Sequence, residues 1–224
     1  MTKMFALIVA GGSGTRMNRS TPKQFLELAG RPVLMHTFEA FHRFDSSIEF
    51  ILVLPADEHE RWKDLCAKFD FLITHRLANG GITRFESVKN GLALLPDEGI
   101  VFIHDGVRPL VSGQTLQNCL DTTIRKGNAL PVVPVSESLR FVDETRNQAV
   151  DRSKYYLVQT PQTFNTKEIK AAYRQTYSQL FTDDASVLEN LGNTIHIVAG
   201  NRENIKITYP EDLHLASILI ENKL

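Results

Sequence analysis

A glycine-rich segment near the start of the chain is followed closely by two positively charged side chains. The apolar run Phe5–Ala10 leads into Gly-Gly-Ser-Gly-Thr, and Arg16 and Lys23 come next. Backbone N–H groups in such a segment can bind phosphate oxygens, and two nearby cations can neutralise a triphosphate. The residues that we expect to line this phosphate site are Ala10, Gly11, Gly12 and Gly14.

This segment differs from two well-known phosphate-binding loops. The Walker A pattern requires a GK[ST] ending, which is absent, and the dinucleotide fingerprint requires a glycine where Met17 stands. A glycine-rich loop can also be a plain turn, and Lys23 alone could be a solvated surface lysine. The combination of the loop with Arg16 and Lys23 favours triphosphate binding over both alternatives.

A carboxylate follows another apolar run of the chain. Asp105 comes directly after Ile100–His104, and a carboxylate at the carboxyl end of a strand can hold Mg²⁺ against a triphosphate. We interpret His104 as structural, because no second His or Cys lies at zinc-ligand spacing. We expect Arg108 to brace the loop that follows.

Short apolar runs alternate with longer amphipathic stretches along the chain, which predicts an α/β fold. This alternation is typical of a doubly wound, mostly parallel, Rossmann-like sheet with helices on both faces. We treat residues 1–224 as a single domain. The predicted strands are 5–10, 50–54, 71–74, 100–104, 130–135, 156–159 and 194–198, and the predicted helices are 33–44, 57–69, 84–95, 114–126, 166–178, 184–191 and 210–222.

Residues 136–155 are polar and lack helical periodicity, and Asp143–Asn147 has the composition of a turn. We predict a β-hairpin arm that projects from the sheet. Isolated hairpins are marginally stable in water, so we expect the arm to pack on a second subunit in a homodimer.

The composition excludes several classes of protein. A formal net charge of −1 gives no general attraction to nucleic acid or an anionic membrane, and no apolar run reaches the roughly 20 residues of a membrane span. Cys66 and Cys119 lie far apart, without the spacing of a zinc ribbon or a disulfide framework. The first apolar run reads as a buried strand and not as a signal peptide, so we expect a cytoplasmic protein.

The opening motif, Ala-Gly-Gly-Ser-Gly-Thr-Arg-Met followed by Pro-Lys-Gln-Phe, resembles that of nucleotide-sugar pyrophosphorylase-like nucleotidyltransferases. More narrowly, it is similar to the 2-C-methyl-D-erythritol 4-phosphate cytidylyltransferase family of the non-mevalonate isoprenoid pathway. The resemblance extends over nearly the whole chain through further motifs, which are 80–88, 104–109, 134–138 with 150–152, 159–164 with 182–186, and 200–208.

The resemblance implies a role for residues in each of these motifs. Gly81 and Ser87 would face the cytosine and ribose of CTP, and Arg84 would support the same pocket. The residues that would position the acceptor are Ser138, Thr160, Arg152 and Lys206. We expect Lys206 to lie in a short strand and Thr182 and Asp183 to begin a helix. Three positions depart from the family pattern, since alanines are more common at Gly106 and Val107, and threonine at Ser138.

The implied reaction is the Mg²⁺-dependent transfer of CMP from CTP to a small sugar-alcohol phosphate. Arg16 and Lys23 would stabilise the transition state and the leaving pyrophosphate. Ribitol 5-phosphate cytidylyltransferase is an alternative, because it shares several motifs, although residues 182–189 and 202–206 look more like the methylerythritol enzyme. A catalytically silent nucleotide-binding scaffold is the second alternative, because a fold alone does not prove activity.

Overall fold

The computed structural model describes residues 2–12 and 21–221. Gly14 and Arg16, two of the predicted phosphate ligands, lie outside the described residues. Among the described residues, none of the helices combines the length and the apolar character needed to cross a membrane.

Strands and helices alternate through most of the chain, as the sequence predicts. The strands are β1 (Met4–Val9), β2 (Glu27–Leu28), β3 (Arg31–Pro32), β4 (Glu49–Leu54), β5 (His75–Asn79), β6 (Ile100–Asp105), β7 (Asn128–Pro134), β8 (Arg140–Val142), β9 (Asn147–Ala149), β10 (Tyr156–Val158), β11 (Gln162–Asn165) and β12 (Ile197–Ala199). The helices are α1 (Val33–Phe44), α2 (His59–Lys68), α3 (Arg84–Ala93), α4 (Gly113–Lys126), α5 (Thr166–Ala172), α6 (Asp184–Glu189) and α7 (Pro210–Glu221).

The main sheet has the strand order β10-β7-β11-β6-β1-β4-β5, and β12 pairs with β7. The pairs β1–β4, β4–β5, β1–β6 and β7–β12 are parallel, whereas β11 and β10 pair antiparallel. The chain passes from β1 through β4 to β5 and then returns to β6 on the other side of β1. This reversal is a topological switch point, where open α/β sheets bind their ligands.

Each face of the sheet is covered by a different group of helices. Helices α1, α2 and α4 pack with alternate side chains of β1, β4 and β6, such as Ile8, Leu52 and Phe102. Helices α3, α5 and α6 pack against the other set, such as Leu7 and Val53. Strands buried on both faces are apolar throughout, and the predicted doubly wound α/β fold is therefore confirmed.

Two strand predictions differ from the structure at polar or short segments. The apolar run 71–74 forms no strand; it connects α2 to β5, with Phe71 buried and Leu72 82% exposed. The strand starts at His75, and its polar residues suit an edge position that has only β4 as a neighbour. Strand β11 was not predicted, because it has only four residues and no break separates it from the Gln159–Pro161 segment before it.

The predicted arm is a hairpin. Strands β8 and β9 pair antiparallel from Arg140↔Ala149 to Val142↔Asn147. Asp143 closes the turn, since its carboxylate accepts hydrogen bonds from the backbone N–H groups of Thr145 and Arg146 at 2.9 and 2.8 Å. The side chains of β8 and β9 are exposed in the single chain.

Candidate active site

A cleft of about 420 Å³ lies at the switch point of the sheet. Strands β1 and β6 end side by side here, because Val9 pairs with Asp105 in the register. The predicted residues that line this nucleotide cleft are Ala10, Gly11, Gly12, Lys23, Gly81, Arg84, Ser87, Asp105 and Lys206. The fold thus brings together residues that are up to 196 positions apart in the sequence.

A buried amide fixes the segment that carries Lys23. Lys23 begins a short 3₁₀ helix, Lys23–Phe25, and is half-buried. The side chain of the next residue, Gln24, is buried and donates from Nε2 to the carbonyl oxygen of Ala10 at 3.0 Å. Because Ala10 starts the glycine segment, this hydrogen bond ties Lys23 to the predicted phosphate loop.

The loop before α3 forms another wall of the nucleotide cleft. Thr83 caps the helix, accepting from Glu86 N–H, while the Glu86 side chain accepts from Thr83 N–H, a reciprocal capping box. Ser87 is buried and accepts from Gly81 N–H at 3.0 Å. A Cβ at Gly81 would lie 2.3 Å from Cβ of Glu86, so only glycine fits there.

Asp105 is surrounded by three cationic side chains. Its Oδ2 accepts from Arg108 Nε and lies 3.1 Å from Lys206 Nζ, and its Oδ1 is 3.9 Å from Arg84 Nε. Burial alone would raise the pKa of Asp105, but the charges of Lys206, Arg84 and Arg108 hold it well below its ordinary value. Asp105 is therefore ionised at neutral pH, and it gathers cations at the floor of the cleft.

A second cleft, of about 280 Å³, adjoins the first and shares Arg84, Asp105 and Lys206 with it. Its other walls come from Thr160 and the 159–162 segment and from Thr182 and Asp183. Asp183 is the N-cap of α6, as expected, and accepts from Ser186 N–H at 2.8 Å. A single row of charged groups thus separates two cavities.

The hydroxyl of Thr160 belongs to a buried hydrogen-bond network. Its Oγ1 accepts from Asp105 N–H at 3.1 Å and donates to His104 Nδ1 at 3.0 Å. The other ring nitrogen of His104, Nε2, donates to the carbonyl oxygen of Arg108 at 3.0 Å. Complete burial lowers the pKa of His104 to about 4, so the ring is neutral. The interpretation of His104 as structural agrees with this geometry, and so does the bracing role of Arg108, which also donates to Asn204 O.

Lys206 reaches the site, but not from a strand as predicted. Residues 204–208 form an extended segment held by single hydrogen bonds, such as that from Ile207 N–H to Val107 O at 2.9 Å. Ile207 is buried against Leu26, Leu28 and α7, so packing and single hydrogen bonds hold this segment, and it does not join a sheet. The strand prediction for Lys206 is therefore wrong.

Two of the predicted acceptor ligands lie on the arm, away from both clefts of the chain. Ser138 and Arg152 are exposed, and neither lines the nucleotide cleft or the second cleft. Arg152 donates to the carbonyl oxygen of Ser136. The single chain therefore does not bring Ser138 and Arg152 together with Lys206 and Thr160.

Buried polar residues that the sequence reading did not assign support the site from behind. Gln162 joins two motifs, because Nε2 donates to Asp183 at 2.8 Å and Oε1 accepts from Ala185 N–H at 2.7 Å. Asp184 is fully buried and binds Arg84 through both carboxylate oxygens at 2.7 Å. The sequence carried only a weak signal for these two residues. Both lie within the motifs 159–164 and 182–186, but no pattern there distinguishes them from their polar neighbours.

The side chains at the nucleotide cleft fit a divalent cation that arrives with a triphosphate. Mg²⁺ is commonly bound by one or two carboxylates together with substrate phosphates, and Asp105 supplies one carboxylate here. Within the ranges that the structure describes, no group of three His, Cys, Asp or Glu side chains could hold a metal by itself. A cation bound beside Asp105 would take its remaining ligands from phosphate oxygens and water.

The fold and the paired clefts define an α/β nucleotidyltransferase. The family model described as "IspD: 2-C-methyl-D-erythritol 4-phosphate cytidylyltransferase" matches residues 4–222, and the chain belongs to this family. A relative of that name from Bacteroides fragilis is 52% identical over 216 residues, covering 96% of this chain and 98% of the relative. Another from Porphyromonas gingivalis is 52% identical over 219 residues, covering 97% and 98%.

Solved structures agree with this assignment. A 4-diphosphocytidyl-2C-methyl-D-erythritol synthase from Anaerococcus prevotii superposes with a TM-score of 0.83 at 28% identity, covering 98% of this chain and 99% of that one. The Thermus thermophilus 2-C-methyl-D-erythritol 4-phosphate cytidylyltransferase gives a TM-score of 0.77 at 29% identity, covering 96% and 98%. The family predicted from the sequence motifs is confirmed.

Proposed function

We propose that this protein transfers CMP from CTP to 2-C-methyl-D-erythritol 4-phosphate, releasing pyrophosphate. The observation that carries the proposal is the pair of adjoining clefts, which share Arg84, Asp105 and Lys206 as a common wall. The reaction joins two anions, and it requires one site for each with cations between them. Family membership supports CTP as the nucleotide, and it favours 2-C-methyl-D-erythritol 4-phosphate over ribitol 5-phosphate as the acceptor.

In the proposed mechanism, a phosphate oxygen of the acceptor attacks the α-phosphorus of CTP in line. The new P–O bond forms as the bond to the β-phosphate oxygen breaks, and pyrophosphate leaves with the electron pair. A phosphate monoester is already ionised at neutral pH, so the site needs no general base. The work of the protein is to bring two anions together and to stabilise the charge that develops.

The two clefts suggest how the residues share this work. Lys23 and the glycine segment would bind the triphosphate in the nucleotide cleft, together with Arg16 and Gly14. Gly81 and Ser87 would contact the nucleoside, and Arg84 would support it. Lys206 stands at the shared wall, where it can face the acceptor phosphate, whereas Thr160 holds Asp105 and His104 in position beside it.

Mg²⁺ is the proposed cofactor, and Asp105 would be the carboxylate that holds it beside the triphosphate. When bound, the cation would neutralise charge on the triphosphate and on the leaving pyrophosphate. The residues Lys23 and Lys206 would act on the same charges from the sides of the cleft.

The exposed arm supports a homodimer. Large apolar side chains are exposed on the arm and at its base, and they are Phe141, Val142, Tyr155, Tyr156, Leu157 and Val158. Such a concentration of exposed apolar side chains on the arm and on the adjoining strand β10 is typical of an interaction surface. A partner's arm would also supply the acceptor ligands that the clefts of a single chain do not contain, namely Ser138 and Arg152.

The test is pyrophosphate release by the purified protein with CTP and Mg²⁺, offered 2-C-methyl-D-erythritol 4-phosphate or ribitol 5-phosphate in parallel. We expect release with the first acceptor alone. Release with ribitol 5-phosphate alone would keep the chemistry but refute the acceptor. Release with neither acceptor would leave only a nucleotide-binding fold and refute the proposed function.

A further inference from the structure

A carboxylate that lines neither cleft holds the guanidinium that lines both of them. Asp184 is the first residue of α6 and has no exposed surface. Arg84 donates from Nη1 to Oδ1 and from Nη2 to Oδ2 of this carboxylate, each at 2.7 Å. This is the bidentate geometry that fixes the plane of a guanidinium as well as its position.

The burial of Asp184 is more than helix N-terminal chemistry requires. An acidic residue in the first turn favours a helix while remaining in water, and Asp183 already caps α6. Burying a carboxylate is costly unless it is paired and hydrogen-bonded. The partners of Asp184 meet that requirement, since Tyr173 also donates its hydroxyl to Oδ1 at 2.5 Å.

The hydrogen bonds to Asp184 orient the Arg84 guanidinium toward the two clefts. Two of its five N–H groups donate to Asp184, and Nε on the other edge lies 3.9 Å from Asp105 Oδ1. The Arg84 side chain is 32% exposed and lines both the nucleotide cleft and the second cleft. The remaining N–H groups are therefore presented at the wall where the reacting phosphates would meet.

We infer that Asp184 is a positioning residue for nucleotidyl transfer, which fixes the Arg84 guanidinium at the wall shared by the two clefts. The inference rests on the proposed function for the identity of the substrates. It assigns to the 182–186 motif a role that goes beyond the start of a helix. The ligand is the bound CTP, reached through Arg84, which would support the nucleoside pocket and present its charge to the phosphates at the shared wall.

Asp184→Asn removes the charge and one of the two parallel acceptors while keeping the size of the side chain. Because Arg84 is partly exposed, water can reach the unpaired cation, and we expect the variant to fold. A misplacement of about 1 Å can cost about 100-fold in rate. We therefore expect kcat/KM for CTP to fall about 10- to 100-fold and the dissociation constant for CTP to rise about 10-fold.

The decisive comparison is made in the background of Arg84→Ala. If Asp184 acts through Arg84, adding Asp184→Asn to Arg84→Ala should change kcat/KM and CTP affinity less than about 2-fold. If the two losses multiply, Asp184 acts on the fold or on another group, and the inference is refuted. Tyr173→Phe is the matched control, because it removes the other partner of the carboxylate; we expect kcat/KM within about 3-fold of wild type.

Asp184→Glu separates orientation from charge. It retains the carboxylate but lengthens the side chain by one methylene group, so we expect a loss of kcat/KM that approaches that of Asp184→Asn. Wild-type activity in this variant, or in Asp184→Asn, would refute the inference. The wild-type protein tests the proposed function in the same assay, and calorimetric titration with CTP measures the cycle even if neither acceptor supports turnover.

Discussion

Thr160→Val tests whether the Thr160 hydroxyl holds the site together or binds the acceptor. Valine has nearly the shape of threonine but removes Oγ1. Two buried groups then lose their partner, because Asp105 N–H has no acceptor and His104 Nδ1 has no donor. Each orphaned group costs about 1–3 kcal/mol, so for the two groups we expect the free energy of unfolding to fall by about 2–6 kcal/mol.

This cost can be converted into a melting temperature. With about 2.1 cal/mol/K of unfolding entropy per residue, the 224 residues give about 0.5 kcal/mol per degree. The expected drop in Tm is therefore about 4–12 °C, measured by scanning calorimetry or circular dichroism. Thr160→Ser keeps the hydroxyl and should cost only about 1 kcal/mol, for the lost methyl group.

The competing role predicts a different pattern. If Thr160 donates its hydroxyl to the acceptor, Thr160→Val should raise the KM for the acceptor while Tm stays within about 1 °C of wild type. That result would refute the network argument. A large drop in Tm with Thr160→Val, together with a near-normal Tm for Thr160→Ser, would support it.

Further predictions concern the nucleotide cleft, the buried histidine and the arm. Lys23→Ala should lower kcat at least about 100-fold in pyrophosphate release assays. The control is Lys63→Ala, at an exposed lysine paired with Glu60, which should leave kcat unchanged. A near-normal kcat for Lys23→Ala would contradict the role assigned to Lys23. Burial lowers the pKa of His104 in the folded state from 6.5 to about 4, so between these values the folded state binds fewer protons than the unfolded state. The free energy of unfolding should therefore fall as the pH is lowered from 6.5 toward 4. The loss is about 3 kcal/mol, measurable by urea unfolding, and it should be absent in His104→Gln. Leu157→Glu in β10, at the base of the arm, should convert the proposed dimer to a monomer in sedimentation and lower activity. Leu72→Glu, which is exposed elsewhere, should leave the sedimentation coefficient unchanged.

The sequence predicted the sheet well where strands are buried on both faces. β1 is apolar throughout, and β4 and β6 are apolar apart from Glu49, His104 and Asp105 at their ends. Short apolar runs of this kind are typical of parallel strands that are covered on both faces. The edge strand β5 was displaced by several residues, because Phe71 is buried under aromatic neighbours while the polar residues from His75 onward form the ladder. The pattern of apolar residues in the sequence indicates which side chains are buried, but it does not indicate which backbone groups pair in a sheet.

The site was predicted unevenly for a similar reason. Motif residues at strand ends, such as Ala10 and Asp105, line the same cleft because the carboxyl ends of neighbouring strands meet, and their roles in binding remain predictions. The strand expected at Lys206 is absent, because the burial of Ile207 and single hydrogen bonds hold this segment without a sheet. Ser138 and Arg152 line neither cleft of the single chain, and their role remains a prediction that requires the proposed second subunit.

Two carboxylates hold in place the cationic side chains with which the nucleotide cleft would bind anions. A site that joins two phosphates needs several cations close together, and those cations repel one another before the substrates arrive. Asp105 contacts Lys206 and Arg108 and faces Arg84, and Asp184 pairs with Arg84 from the other side. The site therefore holds its cations in place within a chain whose formal net charge is only −1. In the sequence, Asp105 looks like a metal ligand and Asp184 like part of a helix start. In the folded chain both carboxylates also act on cationic side chains, so replacing either one should disturb phosphate binding through the arginine and lysine residues that it holds.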